Sequence, residues 1–287
     1  MVLSLFGHAT IPLDADVLDV GTGSGYGAGL LARRLGDHRI TSIDVDPYLT
    51  KVAAERLDGV GLRPRIATVD GTGAVPGAYD RIVATVSVRP IPAGWLAALR
   101  PGGRLVTTIT NCSMIIVADK TPDGGAVGHV ARDWAMFMTT RTGEDYPDDL
   151  NGMFEQVRDQ DGDEVTVSAY PVVNVIDAWE LRTMVELTAP DIEHYFEEED
   201  GTRTAWMLHA DGSWARAVDC GDGRTTVHQG GPRRLWDVLE EVRSYWLQHG
   251  SLPIYGATAR VTPDGTVHLR RGGWKATIRR ELVPEVM

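Results

Sequence analysis

Val17-Leu18-Asp19-Val20-Gly21-Thr22-Gly23-Ser24-Gly25-Tyr26-Gly27 is the stretch whose reading decides the fold. Its apolar start reads as a buried strand, and its glycines turn the chain directly into a helix beginning near Ala28. Glycine at every second position from Gly21 to Gly27 leaves no Cβ atoms to hold a ligand off the backbone. The first turn of the helix adds unpaired N–H groups. The product is a cradle for a nucleotide-like ligand at the carboxyl end of a strand. Asp19 narrows the ligand class, because a carboxylate just before the glycines repels a pyrophosphate and attracts an ammonium group.

Gly23, Gly25 and Ala28 also fit a degenerate dinucleotide pattern, so the following strands carry the decision. Residues 39–43 read as a second strand running into Asp44 and Val45, where an acidic side chain can accept both ribose hydroxyls. Residues 64–69 form a third, ending at Asp70, Gly71 and Thr72. Residues 81–86 and 103–109 supply a fourth and a fifth. Acidic ends on three strands suit a ligand with an amino-acid tail, a ribose and an adenine amine. S-adenosylmethionine has all three, with S-adenosylhomocysteine as its product. The expected cofactor set is Asp19, Gly21, Thr22, Gly23, Gly25, Tyr26, Asp44, Val45, Asp70, Gly71, Thr72 and Thr85. Plainer roles stand beside these. Asp44 can cap the helix opened by Pro47, although Asp46 is better placed for that, Asp70 can be a turn residue, and Tyr26 can simply pack.

Several further phrases belong together: Ser42-Ile43-Asp44, Val69-Asp70-Gly71-Thr72, Tyr79-Asp80-Arg81-Ile82-Val83-Ala84-Thr85, Ile91-Pro92 and Leu99-Arg100-Pro101-Gly102-Gly103-Arg104-Leu105. With the glycine loop they make residues 17–141 resemble the protein-L-isoaspartate O-methyltransferase family. Thr85-Val86-Ser87-Val88 and Ala135-Met136-Phe137-Met138 are similar to the branch associated with ribosomally made peptides, graspetides included. The resemblance implies a class I, Rossmann-like α/β methyltransferase sheet and a carboxyl O-methyltransferase. In the peptide branch the acceptor is an aspartate side chain of a precursor peptide, and its methyl ester can collapse to an aspartimide and then isoaspartate. Ser87, in the loop after the fourth strand, is the candidate catalytic residue beside the acceptor. Repair of isoaspartate in damaged proteins and a non-catalytic cofactor-binding scaffold are the competing functions. The family also carries a segment ahead of the first helix that residues 1–10 do not match. The crevice is therefore expected to be open, with Leu3, Leu5 and Phe6 at an exposed apolar edge that invites a homodimer.

The rest of the chain sets bounds. Its 287 residues suffice for two modest domains, and 43% hydrophobic with 24% charged residues is ordinary for a soluble protein. The net charge of −12 disfavours nucleic acid and leaves a peptide or a small molecule as the expected methyl acceptor, and the resemblance implies a peptide or protein partner. No apolar run is long enough to cross a bilayer and no secretory-type leader is visible, so a cytoplasmic location is expected. Cys112 and Cys220 build neither a disulfide framework nor a zinc site, and the histidines lack metal spacing, so no metal is assigned.

Composition shifts to Gly, Asp, Glu and Asn over residues 142–163, which places a boundary near Gly143. A methyltransferase domain over 1–143 and a β-rich α+β peptide-recognition region over 144–287 are expected. In that second region residues 164–176 read as one long strand, Asp211-Gly212 and Pro263-Asp264-Gly265 as hairpin turns, and Pro232 as a helix start. Residues 115–118 and 127–138 are expected to form another hairpin added to the first sheet.

Overall fold

The structure is a computed structural model that describes residues 2–141, 149–219, 221, 224–249 and 254–279. It separates into two units, one of Met1–Tyr146 with Ile254–Met287 and one of Pro147–Pro253. In chain order the first unit begins α1 (Val2–Ala9), β1 (Val17–Val20), α2 (Tyr26–Leu35), β2 (Ile40–Asp44), α3 (Pro47–Asp58) and β3 (Arg65–Thr68). It continues β4 (Tyr79–Val88), α4 (Ala93–Ala98), β5 (Leu99–Ile109), β6 (Ile115–Lys120) and β7 (Ala126–Val130).

β1 is buried at every position, as an apolar strand inside a parallel sheet must be. It lies between β2 and β4, parallel to both, with Val17 opposite Ile40 on one side and Arg81 on the other. The sheet order β3-β2-β1-β4-β5 therefore reverses direction at β1, and the crevice beyond the carboxyl ends of β1 and β4 is where such sheets bind ligands. α2 and α3 have the starts and stops their sequences specify. Gly36 ends α2 by donating to the Ala32 carbonyl, and Asp46 caps α3 by accepting from the Tyr48 and Leu49 N–H groups.

α1 differs from expectation. Leu5 and Ala9 are fully buried and Phe6 is nearly so, in one core with Val83, Val106, Ile115 and Val117. Only Leu3 of the expected edge is exposed. The apolar side of α1 is spent on the sheet, and Arg81 and Arg104 donate to the Ala9 and His8 carbonyls at its end. The 115–138 hairpin also stops short. β6 and β7 pair antiparallel, but β7 ends at Val130 and the chain continues as a strap along residues 131–141.

The second unit contains α5 (Asn151–Val157), β8 (Glu164–Ser168), α6 (Trp179–Thr188), β9 (Glu193–Glu199), β10 (Thr202–Leu208), β11 (Trp214–Asp219), β12 (Thr225–Gly230) and α7 (Leu235–Gln248). Its antiparallel sheet runs β8-β12-β11-β10-β9, with the expected hairpin across Asp211-Gly212. Trp206 and Trp214 are buried with Phe154 and Val157. The long strand over 164–176 is cut at Ser168, whose hydroxyl bonds both the N–H and the carbonyl of Tyr170 and turns the chain before Pro171.

β13 (Thr258–Val261), β14 (Val267–Arg271) and β15 (Trp274–Ile278) then rejoin the first sheet. β13 pairs antiparallel with β7, and the full order becomes β3-β2-β1-β4-β5-β6-β7-β13-β14-β15. The break after Tyr146 falls close to Gly143, a residue that lies outside the described residues, but β13–β15 belong to the first unit and not to the second region as expected. The hairpin at Pro263-Asp264-Gly265 forms as read, but a hairpin signal is local and does not say which sheet edge it will extend. Val261, Val267 and Leu269 are 0–2% exposed, so these strands are core to the first unit. Replacing residues 147–253 with a short flexible linker should leave a cooperatively folded first unit. Removing 144–287 should lower its melting temperature by about 10 °C or more, or cause aggregation, as the β7 edge and its apolar neighbours are uncovered. Circular dichroism melts of both deletions, with equal stability as the contrary result, check this.

Candidate functional site: a nucleotide-type cavity

The glycine loop is shaped by what lies against it. Gly21 has φ +93, and a Cβ there would sit 2.7 Å from Val86 Cγ1 and 3.2 Å from Thr85 Oγ1. No other residue fits that approach. The Gly21 and Thr22 N–H groups both donate to the Ile43 carbonyl, at 2.9 and 3.1 Å, which ties the loop to β2. Thr85 Oγ1 donates to the Gly21 carbonyl at 3.0 Å from the other side.

Under the loop lies a buried polar chain. Thr22 Oγ1 and Ser42 Oγ are 2.7 Å apart, and Ser42 donates to Asp19 Oδ2 at 2.7 Å. Asp19 is 1% exposed, and its Oδ1 has no hydrogen-bond partner. That oxygen faces the start of α2, 3.2 Å from where a Cβ on Gly27 would stand. Desolvation pushes the Asp19 carboxyl up to about 7, the Ser42 hydrogen bond opposes this, and the Asp44 charge adds to the rise.

A cavity of about 350 Å³ opens beside the loop, a volume within the range of small-molecule sites. Of the expected residues, Gly21, Gly23, Asp44, Val45, Asp70, Gly71, Thr72 and Thr85 line it. Asp44 is held facing it by the Gly23 and Asp46 N–H groups, at 2.9 and 3.2 Å. Asp70 accepts from both the N–H and the hydroxyl of Thr72, so its turn role and its cavity position coexist. The Trp95 indole N–H holds the Gly71 carbonyl at 2.6 Å and fixes that loop.

Asp19, Thr22, Gly25, Tyr26 and Ser87 are not among the lining residues. Thr22 and Gly25 shape the loop from below, and Tyr26 is 58% exposed. Ser87 is fully buried, and its hydroxyl is 2.8 Å from Thr108 Oγ1 and donates to the Phe137 carbonyl at 2.9 Å. Its N–H donates to the Met138 carbonyl and its carbonyl accepts from Thr140 N–H, both at 2.8 Å. Ser87 therefore presents no group to the cavity in this structure; it fastens the strap. Beyond Ala84, the last β4 residue paired with β1, the strap takes up the vacant side of β4.

The strap is the part of the site that the sequence did not reveal. Phe137, Met138, Thr139, Thr140 and Arg141 form one wall of the cavity. Arg141 reaches Asp46 Oδ2 at 3.2 Å, so the strap is tied to the end of β4 and to the start of α3. Only Ala135-Met136-Phe137-Met138 hinted at it, as a family phrase without a position. The described residues contain no group of histidines, cysteines and carboxylates arranged to hold a metal ion. None of their helices is long and apolar enough to cross a membrane.

Sheet order, switch-point cavity and glycine loop together define the fold of a class I, Rossmann-like methyltransferase. The sequence model for Protein-L-isoaspartate(D-aspartate) O-methyltransferase (PCMT) matches residues 2–143, and this part of the chain is similar to that family. Over 115 residues the chain is 36% identical to Protein-L-isoaspartate O-methyltransferase 1 of Anaeromyxobacter sp. (strain Fw109-5), covering 38% of this chain and 53% of that protein. It is 35% identical over 115 residues to the Protein-L-isoaspartate O-methyltransferase of Aeropyrum pernix, covering 38% and 44%. The chain thus spans about half the length of the curated relatives it matches. A solved protein-L-isoaspartate O-methyltransferase aligns over 97% of this chain and 80% of its own at 18% identity, with a TM-score of 0.49.

Asp19 gives a testable sign. Its folded pKa lies near 7 and its ordinary value near 3.8, so between these the folded state holds a proton that the unfolded chain has lost. The stability this confers is complete below about 4 and is lost as pH rises through about 7. Asp19→Asn should therefore stabilise the ligand-free protein by about 2 kcal/mol or more at pH 8, several degrees in Tm, with the gap narrowing toward pH 5. Thermal melts across pH check it; a variant less stable than the wild type at pH 8 contradicts it.

Proposed function

We propose that the chain is an S-adenosylmethionine-dependent carboxyl O-methyltransferase acting on a peptide or protein. The observation that carries this is the pairing of the switch-point cavity with Asp19, a buried carboxylate whose second oxygen is unsatisfied. An orphaned buried acid is costly unless a cation compensates it. A ligand with an ammonium and a sulfonium supplies that charge, whereas a dinucleotide pyrophosphate would raise the cost. The residues present fit the cofactor. Asp44, Ile43, Leu49, Val69 and Asp70 all line the cavity; in this reading Asp44 would accept the ribose hydroxyls, the three apolar residues would pack on the adenine, and Asp70 would accept from its amine.

The bound cofactor supplies an electrophilic methyl group whose departure leaves a neutral thioether. The acceptor carboxylate needs no general base, since an aspartate of pKa about 3.9 is ionised at neutral pH. The chain's residues have to orient the acceptor and keep the cavity dry, and the wall formed by Phe137 and Met138 serves both ends.

Within this class, we assign the acceptor to an aspartate side chain of a ribosomally made precursor peptide. The supports are the resemblance in residues 85–88 and 135–138, and a second unit with its own sheet and core, which suits recognition of one partner. Repair of isoaspartate in damaged proteins is the second reading, favoured by the names of the relatives. Incubation with cofactor, a candidate precursor peptide and an isoaspartyl peptide, followed by mass spectrometry, separates them. The expected result is methylation of the precursor on aspartate, followed by loss of methanol as the aspartimide forms. Methylation of the isoaspartyl peptide alone would establish repair, and methylation of neither would leave a scaffold.

A further inference from the structure

The loop that follows β3 is held from two sides. A Cβ on Gly71 would stand 3.2 Å from Val20 Cγ1 of β1. Against the loop also lies the first turn of α4. The fully buried Trp95 donates its indole N–H to the Gly71 carbonyl, and a Cβ on Gly94 would overlap the Gly73 carbonyl oxygen. This clamp fixes the direction of Asp70, which lines the cavity with Gly71 and Thr72. Both bonds from Thr72 fall on Asp70 Oδ1, and among the described residues Oδ2 receives none.

The start of α4 rests in turn on a segment from late in the chain. Gly265, between β13 and β14, has φ +90, and a Cβ there would overlap the Ile91 carbonyl oxygen and stand 3.6 Å from Ala93 N. Ile91 is fully buried, and Trp95 N–H donates to the Pro92 carbonyl at 3.0 Å, so the contact bears on the residues from which α4 begins. The turn is itself braced. Gly265 N–H donates to the Thr262 carbonyl at 2.8 Å. The Asp264 carboxylate accepts from the Thr262 hydroxyl and from the N–H and hydroxyl of Thr266. Val261 and Val267, on either side, are 1% and 0% exposed. Packing this close passes a displacement on instead of absorbing it.

We infer that the turn at Gly265 acts through Ile91 and the first turn of α4 to position the Asp70–Gly73 loop, and so sets which base the cavity accepts. Gly265 is then a positioning residue, and β13 and β14 support the ligand site as well as the core. The inference rests on the cofactor reading, in which Asp70 accepts from the adenine amine, and extends it to base selectivity. A small drift of the loop weakens a directional, charge-assisted hydrogen bond steeply, whereas apolar contact with the ring has no preferred direction.

The test uses the full chain and calorimetry with two probes, S-adenosylhomocysteine and S-inosylhomocysteine. The second carries a carbonyl where adenine has its amine, and so sets an oxygen against the Asp70 carboxylate. The wild type should prefer the adenine ligand by about tenfold or more, the size of one hydrogen bond to a charged group. Gly265→Ala and Trp95→Phe should each cut that preference to about threefold or less, as the bond to the amine is lost. Gly272→Ala, in the turn between β14 and β15, is the control. Gly272 has φ +56 with nothing within 4 Å of a Cβ, so this variant shares the backbone strain without the contact and should keep the full preference. A purely structural role would lower the melting temperature without moving the ratio.

A folded Gly265→Ala or Trp95→Phe that keeps a preference above that level overturns the inference, as does a Gly272→Ala that loses as much. Should Gly265→Ala not fold, hydrogen–deuterium exchange of the wild type decides. S-adenosylhomocysteine should slow exchange over residues 262–266 but not over 272–273, because coupling between two places is reciprocal. Protection confined to the residues that line the cavity overturns the inference. Failure of the wild type to bind S-adenosylhomocysteine overturns the methyltransferase reading itself. Equal binding of both probes leaves that reading standing, but removes the place given to Asp70 and this inference with it.

Discussion

A carboxylate is buried under the glycine loop with only one of its two oxygens hydrogen-bonded, and much of the first unit is arranged around that. Asp19 accepts one hydroxyl, from Ser42, which is itself in contact with Thr22 of the loop. The loop is pinned to the Ile43 carbonyl on one side and by Thr85 on the other, and Asp19 beneath it is 1% exposed. A core built only for stability would place an apolar side chain there. Stability given up at a buried polar group is characteristic of binding sites, where the ligand returns it. The proposed cationic cofactor is the kind of ligand that can do so.

Ser87 gains a different importance from the one its position in the crevice loop suggested. Its N–H, carbonyl and hydroxyl all engage the strap, and Thr108 backs the hydroxyl from β5. The cavity wall thus depends on hydrogen bonds to one strand end and on the Arg141–Asp46 ion pair at the other. Both partners of that pair are about one-fifth exposed, so the pair holds position more than it adds stability. Phe137 links wall and core, because it lines the cavity while packing on the cluster that contains Leu5 and Phe6 of α1.

What was legible in the sequence was what local chemistry determines. The glycines report a close approach of backbone to Thr85 and Val86, Pro47 and Asp46 report a helix start, and Asp44 and Asp70 sit at strand ends by simple periodicity. Each is settled within a few residues. The strap was not legible, since a segment following a hairpin carries no sign that it will take up the vacant side of β4. The place of Ser87 is hidden for the same reason: a serine at a crevice loop looks alike whether its hydroxyl faces the cavity or, as here, a neighbouring backbone. The return of β13–β15 to the first sheet was hidden because pairing with β7 depends on an edge left free more than a hundred residues earlier. Burial of Leu5 and Phe6 is not legible in the sequence because an amphipathic helix shows that it has an apolar side but not what will cover it.

Calorimetry of S-adenosylhomocysteine binding at pH 6.5, repeated in buffers of different ionisation enthalpy, bears most directly on the role given to Asp19. A carboxyl with a pKa near 7 is largely protonated at that pH, and a bound ammonium should lower it, so binding should release a fraction of a proton from the wild type. Asp19→Asn should bind more weakly and release none. Tight binding without proton release, unchanged by Asp19→Asn, would show that the buried acid plays no part in holding the ligand.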